Sequence, residues 1–264
     1  MLLATWNVNS IRARTDRVLD WLRRVEPDVV AIQETKCRDE QFPALAFAEL
    51  GYETAHHGLN QWNGVAVLSR VGLADVAVGF AGMPGWGAPA LAEARAIGAT
   101  CAGVRVWSLY VPNGRDPGDP HFGYKLAWLE ALRVASMGWL AADAGAQVAL
   151  CGDFNVAPTD EDVWDMAAFE GATHVTPAER AAFAALGEAG FSDVVRPHAP
   201  GPGVYTYWDY QQLRFPRREG MRIDFVLASP ALAARVRGAR IDRDERKGKG
   251  ASDHAPVLVE LAEG

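Results

Sequence analysis

The sequence predicts an α/β fold, and three observations carry the prediction. Short apolar or β-branched runs alternate with segments of helical period along the 264 residues. The runs end abruptly in polar residues that a plain core strand would not need. Hydrophobic residues make up 49% and charged residues 22%, an ordinary globular balance that excludes a disordered, collagen-like or disulfide-scaffold chain.

Taken in order, Leu2 to Trp6 runs into Asn7-Val8-Asn9, and Val29 to Ile32 into Gln33-Glu34-Thr35-Lys36. Between them Val18, Leu22 and Val25 share one helical face, closed at Glu26-Pro27 because proline disfavours the helical conformation just before it. Val104 to Tyr110 runs into Pro112-Asn113-Gly114, and a 3.6 period follows from Phe122 through Leu126, Leu129 and Leu132 to about Leu140. Val148 to Cys151 ends in Gly152-Asp153-Phe154-Asn155. Thr159 with Asp162, and Thr176-Pro177 with Glu179, place a hydroxyl three residues before a carboxylate and predict two helix starts. Ile223 to Leu227 is entered through Arg222 and carries Asp224, while Ser252-Asp253-His254 precedes Ala255 to Leu261. Six strand ends bearing functional groups point to one shared rim.

Gly79 to Pro89 and Pro197 to Gly203 read as surface loops, too short to be linkers, and no internal repeat is visible. One domain over residues 1–264 is expected. Cys37, Cys101 and Cys151 cannot all pair, and two lie in apolar runs, so a reducing, cytoplasmic setting is expected. The start Met-Leu-Leu-Ala-Thr-Trp-Asn has no basic leader, and no apolar run approaches the roughly 18 residues of a membrane span.

Several residues stand where packing gives them no role. Glu34 follows an apolar strand, and a hard divalent cation takes one or two such carboxylates. Asp153 and Asn155 follow a turn-permitting glycine; a carboxylate there can hold or deprotonate a water, and an amide can donate to a developing oxyanion. His254 is squeezed between Asp253 and Ala-Pro, and Asp224, alone in an apolar run, is the acid expected to orient it. Pairing of Asp224 with Arg222 is the competing arrangement. His56, His57, His121, His174 and His198 have no zinc-like spacing and are expected at the surface.

Together these strings resemble the exonuclease III family of apurinic/apyrimidinic (AP) endonucleases, within the endonuclease/exonuclease/phosphatase superfamily. The resemblance runs from Trp6-Asn7-Val8-Asn9-Ser10-Ile11-Arg12 and Ile32-Gln33-Glu34-Thr35-Lys36 to Ser252-Asp253-His254-Ala255-Pro256. Between them stand Tyr110-Val111-Pro112-Asn113-Gly114, Tyr124-Lys125-Leu126, Gly152-Asp153-Phe154-Asn155, Thr206-Tyr207-Trp208-Asp209-Tyr210 and Met221-Arg222-Ile223-Asp224. It implies a four-layer α/β sandwich, two packed mixed β-sheets flanked by helices, with the site at the rim.

The resemblance further implies a Mg²⁺-dependent phosphodiesterase, Mn²⁺ substituting. It would cut duplex DNA 5′ to abasic sites, leaving a 3′-hydroxyl and a 5′-deoxyribose phosphate, and would also process 3′ ends. By matching position Glu34 is the main metal ligand, with Asn7, Asp153, Asn155, Asp253 and His254 around it. Asp153 would activate water, Asn155 and His254 steady the phosphate, Asp224 orient His254, and Tyr110 serve the phosphate or leaving oxygen. Asn9, Arg12, Lys36, Tyr207, Trp208, Gln211, Met221 and Ile223 would receive DNA and the flipped abasic sugar. Tyr207 stands where the family commonly has Trp or Phe, and Gln211 where it has Arg, departures that bear on substrate breadth.

Alternatives are a 3′-end-processing exonuclease or phosphatase with little abasic incision, a lipid-headgroup phosphatase of the same superfamily, and a silent DNA-binding module. The net charge of −7 excludes a protein coated in phosphate-binding charge. Charge is unevenly spread, however: residues 150–170 hold six acids and no base, while 235–249 carry a local +4. Arg12 to Arg17, Arg214 to Arg222 and Arg243 to Lys249 are therefore expected to face a duplex, in a monomer with no membrane contact.

Overall fold

The computed structural model describes residues 1–263. Its strands are β1 (Leu2–Asn7), β2 (Val29–Gln33), β3 (Glu53–His57), β4 (Val65–Ser69), β5 (Ala74–Val78) and β6 (Ala96–Cys101). They continue as β7 (Val104–Tyr110), β8 (Val148–Asp153), β9 (Ser192–Asp193), β10 (Asp224–Ala228), β11 (Val236–Ile241) and β12 (Val257–Leu261). Two six-stranded mixed sheets form, in the orders β11-β12-β1-β2-β4-β3 and β5-β6-β7-β8-β10-β9.

Alternate residues of each central strand face opposite sides, so the continuous apolar runs are buried on both. Leu3, Val29, Ala31, Val67, Val106, Ala149 and Cys151 meet between the sheets. Ala4, Trp6 and Ile32 turn outward onto α1 (Ile11–Val25), which contributes Val18, Trp21 and Leu22. A short α2 (Ala44–Ala48) packs Phe47 on the same side. On the other outer face, α3 (Pro120–Ala142) and α4 (Pro177–Glu188) cover Leu150 and Phe225 with Trp128, Leu129, Phe183 and Leu186. Helix, sheet, sheet and helix are the four layers expected.

Local signals act as their chemistry predicts. Helix α1 ends where Glu26 turns left-handed (φ 50°) and its N–H reaches Leu22 O. Thr176 and Glu179 form a reciprocal cap on α4, with Pro177 in its first turn. Thr159 and Asp162 form the same cap, but only a 3₁₀ turn follows, Asp160–Asp162. Val163 is pulled extended into a bridge with Met221, so the predicted helix is absent.

Register brings the functional ends together. Parallel β1 and β2 finish side by side (Asn7 opposite Gln33), and antiparallel β12 begins at the same edge (Thr5 opposite Val257). In the second sheet Tyr110 and Asp224 both stand opposite Asp153. Gly152 allows β8 to pass β7 closely, since a Cβ there would lie 1.9 Å from Leu109 O. Gly152→Ala is therefore expected to cost about 3 kcal/mol or more in urea unfolding, because strand backbone, not a flexible side chain, must move.

Candidate active site

The loops after β1 and β2 are fastened to each other before any side chain enters. Ser10 N–H donates to Glu34 O (2.7 Å) and Ile11 N–H to Thr35 O (3.0 Å). Thr35 and Lys36 in turn donate to Gly64 O and Asn63 O. Asn9, Ser10, Glu34, Lys36 and, beyond β8, Asn155 all hold left-handed φ between 44° and 90°. Each such residue costs of order 1–3 kcal/mol and persists only where its surroundings dictate it.

Asn7 joins the two sheets, its Nδ2 donating to Glu34 Oε1 (2.8 Å) and Asp153 Oδ2 (3.0 Å). Lys36 Nζ pairs with Glu34 Oε2 at 2.7 Å and also donates to Asn9, whose Nδ2 donates to Asp253 Oδ1 (3.0 Å). Opposite, Asp224 Oδ2 meets His254 Nδ1 at 2.9 Å, and His254 Nε2 lies 3.8 Å from Asp153 Oδ2. Arg222 takes no part in this pair: it binds Asp162 and Asp193. Thr206 Oγ1 accepts the backbone N–H groups of both Ile223 and Asp224 (3.1 Å each). Ser252 Oγ donates to Asn7 O and accepts His254 N–H, while Trp6 Nε1 donates to His254 O.

Burial drives the electrostatics. It pushes Asp153 up to about 7 against the pull of His254, with Asp224 and Glu34 adding to the rise. Burial opposes charge on His254 too, but Asp224, then Asp153 and Asp253, hold it up to about 10. Its imidazolium is the neutral-pH form. Tyr110 is raised well above a normal phenol by burial and by Glu34, so it remains an O–H donor. Glu34 is held low despite burial by Lys36 and the Asn7 amide.

Among the described residues, Glu34, Asp153 and His254 offer ligand atoms that all lie within 4.8 Å of one another. Glu34 has Lys36 and Asp224 has His254, whereas Asp153 has only a share of that same His254 and the amide donors of Asn7 and Asn155, so three carboxylates face two cations. Asp224 Oδ1 is buried with no partner. This uncompensated oxygen-rich site suits a hard divalent cation. Asp253 lies outside that trio, held by Asn9. The side-chain oxygen of Asn155 is taken by Asn113 and His174, and its Nδ2 donates to Val111 O (2.9 Å), which suits phosphate handling better than metal ligation.

Beside the acids opens a cavity of about 350 Å³ whose wall includes His174, Tyr207 and Met221. The Tyr207 ring lies 4.9 Å from that of His254. Other expected pocket residues fall elsewhere. Trp208 is buried against Tyr205 and Phe215, so it supports the fold; Ile223 packs behind Met221; and Gln211 is exposed on a 3₁₀ turn. Of the histidines expected at the surface, His198 is exposed, but His121 is buried and His56 stacks on Phe42 beside Asp39. His174 lies at the site itself, within 3.1 Å of Asn155 Oδ1. No motif spacing announces it.

The basic segments divide. Arg12, Arg14, Arg17 and Lys249 surround one surface cleft of about 230 Å³; Arg12 is exposed and unpaired, whereas Arg14 bonds Asn9 O and Tyr210 and Arg17 pairs with Glu245. Arg222 is buried, Arg214 and Arg217 pair with Glu219, and Arg243 and Arg246 lie over Phe215. Arg214, Arg222, Arg243 and Arg246 thus hold the 209–221 loop, while Arg217, Arg218, Lys247 and Lys249 remain exposed.

Two sheets that gather buried acids and a carboxylate-held histidine on one rim define a hydrolase of the DNase I-like class. The chain belongs to the endonuclease/exonuclease/phosphatase family, whose model matches residues 4–254. It is 32% identical over 265 residues to an exodeoxyribonuclease of Bacillus subtilis (strain 168), covering 97% of this chain and 98% of that one. A 3′ phosphatase from Neisseria, solved with a product DNA hairpin, matches with TM-score 0.93 and 36% identity over the whole of both chains. An AP endonuclease from Archaeoglobus fulgidus matches at TM-score 0.91 and 34% identity, covering 99% of each.

Proposed function

We propose that this chain is a metal-dependent DNA repair phosphodiesterase. It cuts duplex DNA 5′ to abasic sites, leaving a 3′-hydroxyl and a 5′-deoxyribose phosphate, and it also processes 3′ ends. The observation that carries this reading is the meeting of Glu34, Asp153 and the Asp224–His254 pair beside a cavity walled by Tyr207 and Met221. Glu34 and Asp153, with Asn7 and Asp253 nearby, would hold Mg²⁺ or Mn²⁺, which when bound neutralises charge on phosphoryl and leaving oxygens.

The chain's own residues do the rest. Ionised Asp153 orients a water and accepts its proton as the water attacks phosphorus in line. Asp224 occupies His254 Nδ1, leaving Nε2–H to donate to a non-bridging phosphoryl oxygen, and Asn155 has one amide hydrogen beyond its bond to Val111. The Tyr110 hydroxyl donates toward the departing 3′ oxygen. Water thus adds its oxygen to phosphorus as the P–O3′ bond breaks, the 3′ oxygen leaves with the Tyr110 proton, and the proton taken up by Asp153 is passed back through solvent to restore Tyr110.

A pocket with an apolar wall of Trp164, Phe169, Tyr207 and Met221 and a polar remainder suits an extruded sugar-phosphate that lacks its base, the cheapest kind of nucleotide to flip out. We read Arg12, Arg14, Arg17 and Lys249 as phosphate contacts, with Asn9 and Lys36 beside the metal acids. A short basic cleft on an acidic chain implies binding that weakens steeply with salt. We further take residues 1–264 as one catalytic domain acting as a cytoplasmic monomer. The family match across residues 4–254 supports the single domain, and three buried free cysteines support the reducing setting. No helix among the described residues is long and apolar enough to cross a membrane.

The test is incubation with duplex carrying one internal abasic analogue, with Mg²⁺ and with EDTA. A nick 5′ to the lesion only with metal is the expected result; binding without cleavage would leave a silent DNA-binding module. Thermal denaturation supplies a second check. Because Asp153 must lose its proton to bind a cation and titrates near 7, the Mg²⁺-induced rise in Tm is expected to grow from pH 5.5 to 8. A rise that is constant across that range would remove Asp153 from the ligand set.

One observation favours a second reading, 3′-end processing with little internal incision. His174 stands in the cavity wall, fixed to Asn155, where an extruded sugar would have to enter. A terminal 3′-phosphate needs no such room. His174→Ala is then expected to raise the ratio of abasic incision to 3′-phosphate release by about tenfold or more, a typical steric discrimination. An unchanged ratio would clear His174 of that role.

A further inference from the structure

Behind the phosphate-handling residues lies a buried ion pair that the reaction scheme above does not use. Lys125 on α3 and Glu179 in the first turn of α4 are both fully buried and paired. Lys125 Nζ also donates to the carbonyls of Asn113 (3.1 Å) and Asn155 (2.6 Å). Glu179 Oε1 accepts the Thr173 hydroxyl (2.7 Å) and the His174 N–H (2.8 Å), while Oε2 accepts from Thr176. One ammonium and one carboxylate thereby fasten three loops that are remote in sequence. The side chains of those loops meet at one atom, Asn155 Oδ1, which accepts from Asn113 Nδ2 (3.2 Å) and lies 3.1 Å from His174 Nε2.

Stability alone is a weak reason for such a pair. Well-packed apolar replacements of buried ion pairs are often neutral or stabilising. Helices α3 and α4 already share an apolar core through Trp128, Leu129, Phe183 and Leu186. What apolar side chains cannot reproduce is the fixed spacing of two loop carbonyls and a loop N–H around one charged centre. Misplacement of about 1 Å at a site can cost on the order of 100-fold in rate.

We propose that Lys125 and Glu179 are positioning residues for the phosphodiesterase reaction, fixing the loops of Asn113, Asn155 and His174 so that Asn155 meets the transition state. The proposal rests on the functional reading above. The experiment uses the full chain and the double variant Lys125→Met/Glu179→Leu. Tm, kcat and KM on abasic and 3′-phosphate duplexes are measured, together with Kd for the same duplexes in EDTA. The expected result is a Tm near that of the parent, with kcat lower by about 30-fold or more and Kd within about threefold. Recovery of kcat together with Tm, or a loss of Kd as large as that of kcat, would overturn positioning.

If the double variant does not reach the parent Tm, Glu179→Gln decides, because it keeps the shape and an acceptor while removing the charge. A fall in kcat of about tenfold or more at unchanged Kd supports the proposal, and kcat within about threefold overturns it. Imidazole ¹⁵N spectra give a readout independent of turnover. In Glu179→Gln the His174 resonances should shift while those of His254 stay. If the parent protein cuts none of the duplexes, the functional reading fails, and an unmoved His174 signal would separately remove the positioning role.

Discussion

Asp153→Asn is expected to lower turnover of an abasic duplex by about a thousandfold, within the usual range for loss of a general base, while Kd measured in EDTA stays within about threefold. That is about 4 kcal/mol of transition-state stabilisation removed by exchanging one carboxylate oxygen for an NH2 group. The substitution suits the purpose because Asp153 is already surrounded by amides: Asn7 donates to Oδ2 and the Asn155 N–H to Oδ1. The introduced carboxamide has the same shape and keeps one acceptor oxygen, enough for one of these two donors, so the change costs one hydrogen bond and leaves the packing in place. What it cannot do is accept the proton of a water. The folded-state pKa of Asp153 near 7 also means that the acid binds more protons folded than unfolded between about pH 4 and 7. In EDTA the parent should therefore lose stability as pH rises through that window, and Asp153→Asn should flatten the dependence. Parallel loss of Kd and kcat would show that Asp153 builds the binding surface instead of acting on water.

The reach of the sequence can be judged from particular residues. Strand ends at Asn7, Glu34, Asp153 and His254 were legible because a polar group closing a buried apolar run demands a reason other than packing. The Asp224–His254 pair was legible for the same cause, a lone acid in an apolar strand needing a partner. Edge strands β3, β5 and β11 carry exposed or half-buried residues and give no continuous apolar signal. The charge runs misled where tertiary pairing consumes them, as when Asp162 and Asp193 take Arg222 inside. The resemblance makes Trp208 a pocket residue, yet isolated bridges of Tyr207 to Met221 and His254 set Tyr207 at the cavity, while Trp208 packs with Tyr205 and Ala255 in the core. His174 and the Lys125–Glu179 pair were invisible as site features. Their roles depend on α3 and α4 closing behind loops that are distant in sequence.

Asp224→Asn should be nearly as damaging as loss of His254 itself, each lowering kcat by roughly 100-fold or more. The two variants separate through pH. In the parent, Asp224 is the main group that holds His254 up to about 10 against burial. Without that carboxylate only Asp153 and Asp253 still oppose burial, so the imidazolium loses its proton at lower pH and Nε2–H ceases to be a charged donor there. The alkaline limb of the kcat profile should therefore move toward neutrality in Asp224→Asn, whereas His254→Gln should lose the limb altogether. The stability linkage runs in the same direction as that of Asp153, since both groups bind more protons folded than unfolded, but its cause differs: here it is the charged form that folding favours. A histidine raised in the folded state contributes stability that is fully present below its unfolded pKa of about 6.5 and disappears as pH climbs toward 10. Urea unfolding in EDTA should accordingly show His254→Gln well below the parent at pH 6 and close to it above pH 10. If the gap is the same at both ends, packing around Trp6 and Ser252 accounts for the histidine's contribution. The charge on its ring would then have no part in holding the rim together.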